Sequence, residues 1–425
     1  MLSQLTPPAE VTKPSRFGPL RSKHFRRWWT GYVISISGQQ MMWMAEGWLI
    51  YELSGSKLLL GLHGLAQAIP SLALTLLGGA IADRVDQRRL LIWLQPLQML
   101  IVAVMAALGF AQMLEAWHVI AGGFALSAVG AFEQPARESM FPHLIERRFM
   151  SQAIGLNAMV HPGSRVLAPV MAGFILALVV EATSSVMTAG GVIFVVAVVG
   201  FGVYAVFLYM IDLPPVRRVS RGNLLQNVGE GLRFTWGHRV FALLLGTMYW
   251  NTAFALAISI LFPVVAKDIL FLGPSGLGYM WMAQGIGSLM GAAWAASRGT
   301  SDGQGRYIIG GSIVLGLSVI GVGLSVWAPL TFFLLWATGI GGSSASVGIR
   351  TAIQLMVPDD FRGRVMSLWG MTHTAVRPLG EMQFGAIAAV AGAPFALALG
   401  GAAVLVFVAV VVIPNKRMRA LRVTA

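Results

Sequence analysis

Cysteine is missing from all 425 residues. No disulfide, thiolate metal site or cysteine nucleophile can therefore exist in this chain. Charge is scarce too. Asp, Glu, Lys and Arg together make up 11% of the residues, against about 25% in an average soluble domain. The acidic sign is the scarcer one, 17 residues against 30 basic. Catalytic signatures are also lacking: there is no Walker-type phosphate loop, no GxSxG elbow and no HExxH helix, and the seven histidines are scattered. ATP is thereby excluded as the direct energy source, and no enzyme, cofactor or metal is expected. What fills the chain is apolar, at 56% hydrophobic residues. A soluble fold of this length could not bury so much, because the buried fraction rises only slowly with size. The composition points to a polytopic membrane protein.

A membrane-crossing helix needs roughly 20 apolar residues. That ruler predicts twelve spans, at 29–52, 60–82, 90–113, 117–141, 152–180, 185–210, 241–266, 276–297, 306–327, 329–349, 366–391 and 394–414. Of the 30 Lys and Arg, 26 fall on one side of this arrangement. Only Lys57 and Lys267 fall on the other, while Arg165 and Arg377 lie inside spans. By the positive-inside rule both termini and the central loop are expected in the cytoplasm. The net charge of +13 is then accounted for by topology and anionic lipid rather than by nucleic acid. No cleavable signal peptide is read. The expected organisation is a basic N-terminal arm (1–28), a first six-helix bundle (29–210), a central loop (211–240), a second six-helix bundle (241–414) and a basic tail (415–425).

The two bundles read as a duplication. Met140-Phe-Pro142 ends span four and Met356-Val-Pro358 ends span ten. Arg148-Phe-Met150-Ser151 opens span five and Arg364-Val-Met366-Ser367 opens span eleven. His161-Pro-Gly-Ser-Arg165 is matched by His373-Thr-Ala-Val-Arg377. The predicted fold is therefore an all-α polytopic membrane protein of twelve transmembrane helices in two pseudo-symmetric six-helix bundles.

Span two ends in Gly79-Ala-Ile-Ala-Asp83-Arg84-Val-Asp86-Gln-Arg88-Arg89. This resembles the cytoplasmic loop-two signature of the major facilitator superfamily. A narrower resemblance, to the branch of secretion carriers that includes the enterobactin exporter, rests on four stretches. They are Trp48-Leu-Ile-Tyr51-Glu-Leu-Ser-Gly-Ser56, Ala82-Asp-Arg-Val-Asp-Gln-Arg-Arg89, Pro135-Ala-Arg137 and Val357-Pro-Asp359…Arg362-Gly-Arg-Val365. Asp86 stands where the general signature has glycine, which favours that branch. Ala168-Pro169…Gly173 is similar to the antiporter motif of span five, with alanine for its first glycine. The resemblance implies the major facilitator fold, alternating access and a cytoplasmic gate built from Gly79, Asp83, Arg84, Arg88, Arg89 and Arg137. In that gate Asp83 accepts from a helix N-terminus or from Arg137.

An ionisable group at membrane depth is costly, so each one inside a span is a functional candidate. Glu46 lies late in span one and Glu133 in span four. His161 and Arg165 lie in span five. His373, Arg377 and Glu381 follow one another at spacings of four in span eleven, on one helical face. Arg165 and Arg377 are expected to bind a negative or polar cargo group, or to pair with Glu133 and Glu381. Protonating a carboxylate would then release its arginine and couple proton movement to affinity. His161 is a candidate proton relay with Glu133, and Gln39 and Gln40 are candidate pore-lining residues. For each of these the bland alternative is an interhelical contact that only holds the bundle together. Pro70, Pro162, Pro169 and Pro378 are expected to kink their helices.

The function expected is a secondary active transporter, a proton-coupled antiporter exporting a small amphiphilic compound, siderophore or drug-like. The expected partners are that small molecule, protons and membrane lipids, with no nucleic acid, and the chain is expected to be a monomer in the bacterial cytoplasmic membrane. A proton-coupled nutrient importer, a lysolipid flippase of the same fold and a non-transporting receptor remain as alternatives.

Overall fold

The structure is a computed structural model that describes residues 18–82, 85–211, 233–298 and 303–419. Within these, the side chains at 75–80, 82, 147, 359, 360, 362, 363, 367, 373, 374 and 417 are not described. The first half runs through α1 (Lys23–Ser54), α2 (Lys57–Ala82), α3 (Gln87–Phe110), α4 (Ala116–Met140), α5 (Met150–Ala158), α6 (Val160–Thr183) and α7 (Val186–Tyr209). The second half runs through α8 (Arg239–Phe254), α9 (Gly273–Arg298), α10 (Gln304–Leu324), α11 (Ala328–Met356), α12 (Asp359–Met371), α13 (Arg377–Ala391) and α14 (Ala393–Phe407). Nine helical stretches of the described residues are long and apolar enough to cross a membrane. The other three expected spans are present as α1, α9 and the α12–α13 pair.

Local chemistry sets the helix ends. α1 begins at Lys23, earlier than the expected 29, because Ser22 caps it: the Ser22 Oγ accepts from the Phe25 amide at 3.4 Å. Asp86 caps α3 in the same way, accepting from the Arg89 amide at 3.1 Å. Span five is broken between α5 and α6 because Pro162 has no amide to give the Ala158 carbonyl. Span eleven is broken for the same reason. A π turn over Thr372–Val376 joins α12 to α13, and Pro378 sits in the first turn of α13. By contrast, Pro70 and Pro169 are carried inside uninterrupted helices.

The two halves repeat one packing plan. α1 packs on α7 and α6, α2 on α4, and α3 on α4 and α7. Six spans later α8 packs on α14 and α13, α9 on α11, and α10 on α11 and α14. The halves meet reciprocally, α6 against α9 and α2 against α13. Glycines make these crossings close, as they do where membrane helices pack without a hydrophobic driving force. A Cβ on Gly278 would lie 2.7 Å from the Pro169 carbonyl oxygen, and one on Gly385 would lie 2.8 Å from the Gly61 Cα.

These crossings sit in the half of the molecule that carries the short connections, such as Gly55–Ser56 and Gly392. We call this the short-loop end, and the opposite, Arg-rich end the basic end. Toward the basic end the halves part. α5 packs on α6 and on the helical turns Gly18–Arg21 and Arg147–Phe149, all of its own half. Gly155 and Gly163 have open space beside them, and His161 is exposed. The cleft between the halves is thus shut at the short-loop end and open at the basic end.

Candidate functional site

Glu133 sits on the buried face of α4. One of its carboxylate oxygens accepts from Gln98 Nε2 at 2.7 Å, and the other accepts from Arg137 Nη1 at 2.9 Å. Arg137 follows one turn later on the same helix, the spacing at which side chains meet. Its guanidinium also covers the Tyr32 ring at 4.5 Å. The Tyr32 hydroxyl in turn lies 2.9 Å from His161 Nε2, at the edge of the cleft. Trp28, stacked on Tyr32 at 5.3 Å, and Phe141, 5.4 Å from Trp28, wall the cluster off. In so dry a setting each charged hydrogen bond is strengthened.

A second group spans the two halves. Arg165 stands one turn beyond His161 on α6, at the level where α6 meets Gly285 of α9. Its Nε is buried without a hydrogen-bond partner among the described residues. Arg377 and Glu381 of the opposite half lie within electrostatic reach of it. Those two are paired with each other: Arg377 Nε donates to Glu381 Oε1 at 2.8 Å, and Nη2 donates to Ser259 Oγ at 3.1 Å. The Glu381 carboxylate also packs against Gly64 of α2. Arg377 thus holds the Glu381 carboxylate, while Arg165 makes no ion pair with a described residue.

Glu46 makes a third group with a residue that the sequence reading passed over. Glu46 and His63 are 1% and 5% exposed. His63 Nε2 lies 3.3 Å from Glu46 Oε2 and 2.7 Å from Gln67 Nε2. Neither Glu46 oxygen accepts a hydrogen bond from a described residue. At the short-loop end a latch joins the halves directly. The Tyr51 hydroxyl donates to Asp268, and Lys267 Nζ lies 2.8 Å from Glu52 Oε2.

The structure corrects several expectations. Glu133 pairs with Arg137 on its own helix rather than with Arg165, because the one-turn spacing puts Arg137 in reach without crossing the cleft. His161 reaches Glu133 only through Tyr32 and Arg137. Of the helical face expected for His373, Arg377 and Glu381, the last two are seen to pair; His373 falls within the π turn, and its side chain lies outside the described residues. Gln39 is half-buried and makes no hydrogen bond to a described residue, while Gln40 is buried with its Nε2 unpartnered. Of the gate, Asp83, Arg84 and the Gly79 surroundings lie outside the described residues. Among the described residues, the hydrogen bonds and ion pairs of the other three gate members stay within their own half. Arg88 donates to the Leu208 and Tyr209 carbonyls, Arg89 lies 3.6 Å from Asp86, and Arg137 holds Glu133. Tyr32, Gln98 and Ser259 gave no signal in the sequence, because neutral polar residues recur throughout the spans and nothing in their spacing names a partner. His63 was within reach of the sequence reading, being ionisable and inside span two.

Comparison with known proteins places this geometry. A family model described as transmembrane secretion effector matches residues 14–424. The multidrug efflux pump Tap of Mycolicibacterium fortuitum is 27% identical, over 90% of this chain and 93% of that protein. Macrolide efflux protein A of Streptococcus pyogenes is 23% identical, over 83% of this chain and 86% of that protein. Among solved structures, a bacterial homologue of the human lysosomal transporter Spinster, inward-facing and unoccupied, superposes with a TM-score of 0.71 at 14% identity, covering 94% of this chain and 96% of that one. A bacterial homologue of the iron transporter ferroportin, inward-facing, gives 0.68 at 15%, covering 91% and 97%. The fold of both is the one described above.

Proposed function

Because this chain belongs to the transmembrane secretion effector family, a major facilitator family of transporters rather than enzymes, we propose that it is a proton-coupled antiporter exporting a small amphiphilic compound by alternating access. The names of the efflux relatives support export and a drug-like cargo. The observation that carries the reading to this chain is Arg165. A buried guanidinium nitrogen without a partner, at the meeting of two membrane bundles and beside a cleft, is costly to maintain. An anionic or strongly polar group on the cargo would satisfy it. The paired Arg377 and Glu381 face it from the other half and supply an acceptor for a cargo hydroxyl or amine. Buried carboxylates at Glu133 and Glu381 offer places where a proton would weaken an arginine contact and so change affinity. The basic end is assigned to the cytoplasm by the distribution of Lys and Arg, and the monomer is taken as the working unit.

The cleft open at the basic end would then be the cytoplasm-facing state that loads cargo. The gate of Gly79, Asp83, Arg84, Arg88, Arg89 and Arg137 would close it when the latch at the short-loop end parts. The test uses proteoliposomes with an acidic lumen, offered radiolabelled erythromycin, ethidium or iron-free enterobactin from outside. Uptake of at least one, above protein-free liposomes and lost in Arg165→Gln, is expected. Uptake that is the same with and without protein for all three would contradict the reading.

A further inference from the structure

The Glu46–His63 pair is set apart from the cleft. It lies in the short-loop half of α1 and α2, about 12 Å from the end of α1 by helical rise. A bare buried carboxylate needs donors, because desolvating an ionised group without them costs several kcal/mol. Glu46 has none among the described residues. His63 Nε2 stands between Gln67 at 2.7 Å and Glu46 Oε2 at 3.3 Å, and the tautomer of the ring decides which of these contacts it donates to. A proton placed between Glu46 Oε2 and His63 Nε2 gives that carboxylate the donor it lacks.

Among the described residues, His63 alone forms an ion pair with Glu46. α4 faces His63 with Gly123, whose missing side chain makes room for the ring, and with Ser127, which donates to the Gln67 carbonyl. α6 and α7 meet this stretch of α1 at Gly173 and Gly190, and Pro263 meets it at Gly47. α13 brings Glu381 to Gly64, on the neighbouring position of α2. Along α1 the next titratable groups are Tyr51 and Glu52, the latch residues.

We propose that Glu46 and His63 form a proton-binding site, loaded in the conformation seen here, whose proton holds the short-loop end shut. The link to conformation is mechanical. Both residues sit on the two helices that make the closing contacts, α1 through the latch and α2 through Gly61 and Gly64 against α13. Loss of the proton leaves a buried, donorless anion between α1 and α2, and parting of those helices from α13 and Asp268 gives it water. The proton exchanged for cargo would thus be held at a place distinct from the cargo arginines. This assignment rests on the export reading only for its role in coupling; the proton site itself is tested without cargo.

The absence of cysteine allows spin labels at Met113→Cys and Val326→Cys, exposed positions on the short-loop end of the two halves. Their separation is followed by pulsed electron resonance between about pH 5 and pH 9, the range in which histidine-linked sites titrate. The wild-type chain is expected to be short at acid pH and longer at alkaline pH. Glu46→Gln, which keeps the shape but not the charge, is expected to stay short throughout. His63→Gln is expected to shift or abolish the transition, and it carries the test alone if Glu46→Gln does not fold. Glu146→Gln, which alters an exposed carboxylate at the basic end, is expected to keep it. A separation independent of pH in the wild type, or a transition unchanged in Glu46→Gln and His63→Gln, overturns the proposal. Failure of the export reading would show instead as the absence of uptake for every probe, with this titration intact.

Discussion

The two halves share one packing plan but not one interior. Within the expected spans the first half holds Glu46, Glu52, His63, His118, Glu133, Arg137, Glu138, His161 and Arg165, and the second holds Arg306, His373, Arg377 and Glu381. The polar contacts of the second half are largely neutral, as in the buried bond from Asn251 Nδ2 to Ser312 Oγ at 2.7 Å. In the first half the charged Glu133–Arg137 pair is enclosed by Trp28, Tyr32 and Phe141. A duplicated scaffold supplies the two-fold symmetry that rocking requires. Divergence then concentrates titratable groups in one copy, leaving the other to complete the cargo site with a single ion pair.

The comparison can be broken at several points. The largest effect is expected from tying the halves together. Cysteines replacing Glu52 and Lys267, joined by a short bifunctional thiol reagent, should abolish uptake of any transported probe, and a reducible linker should restore it. Full transport by the linked protein would show that the short-loop end need not open. Next comes Arg137→Ala, which strands Glu133 in the aromatic cluster. A loss of about 3 kcal/mol in unfolding free energy is expected, as for other broken buried pairs. A loss well under 1 kcal/mol would mean that water already reaches Glu133. Arg165→Gln should leave the folded protein as stable as wild type or more so, since it removes an unpartnered charge, while lowering affinity for an anionic probe in a binding titration. Unchanged affinity would move the cargo site elsewhere. The smallest effect is expected from Asn251→Ala in the second half. It should cost about 1 kcal/mol, the worth of one buried neutral hydrogen bond, with no change in the pH dependence of transport.

Much of this was legible in the residues. Apolar run lengths gave the spans, and the motif after α2 together with Pro135-Ala-Arg137 and Val357-Pro-Asp359 indicated the family. The bias of Lys and Arg toward one end gave the expected orientation. Partner choice was not legible. Glu133 and Arg165 are both ionised and both deep, and nothing in their spacing says that Glu133 turns to Arg137 on its own helix. The π turn at Thr372–Val376 was hidden as well, because the repeat His161…Arg165 against His373…Arg377 reads as plain helix in both copies. The Glu46–His63 pair did leave a signal. Glu46 stands nine residues before Gly55 and His63 eight after it, and in a helical hairpin positions equidistant from the turn come face to face. Gly55, at a φ of +64°, is the residue that allows that tight turn.

The most direct test of the central claim, that the two ends of the cleft open in alternation, uses two label pairs in the cysteine-free chain. Met113 with Val326 reports the short-loop end, and Ile154 with Leu355 reports the basic end. Under conditions that lengthen the first distance, the account predicts that the second shortens. Both distances lengthening together, or the first changing while the second stays fixed, would contradict it.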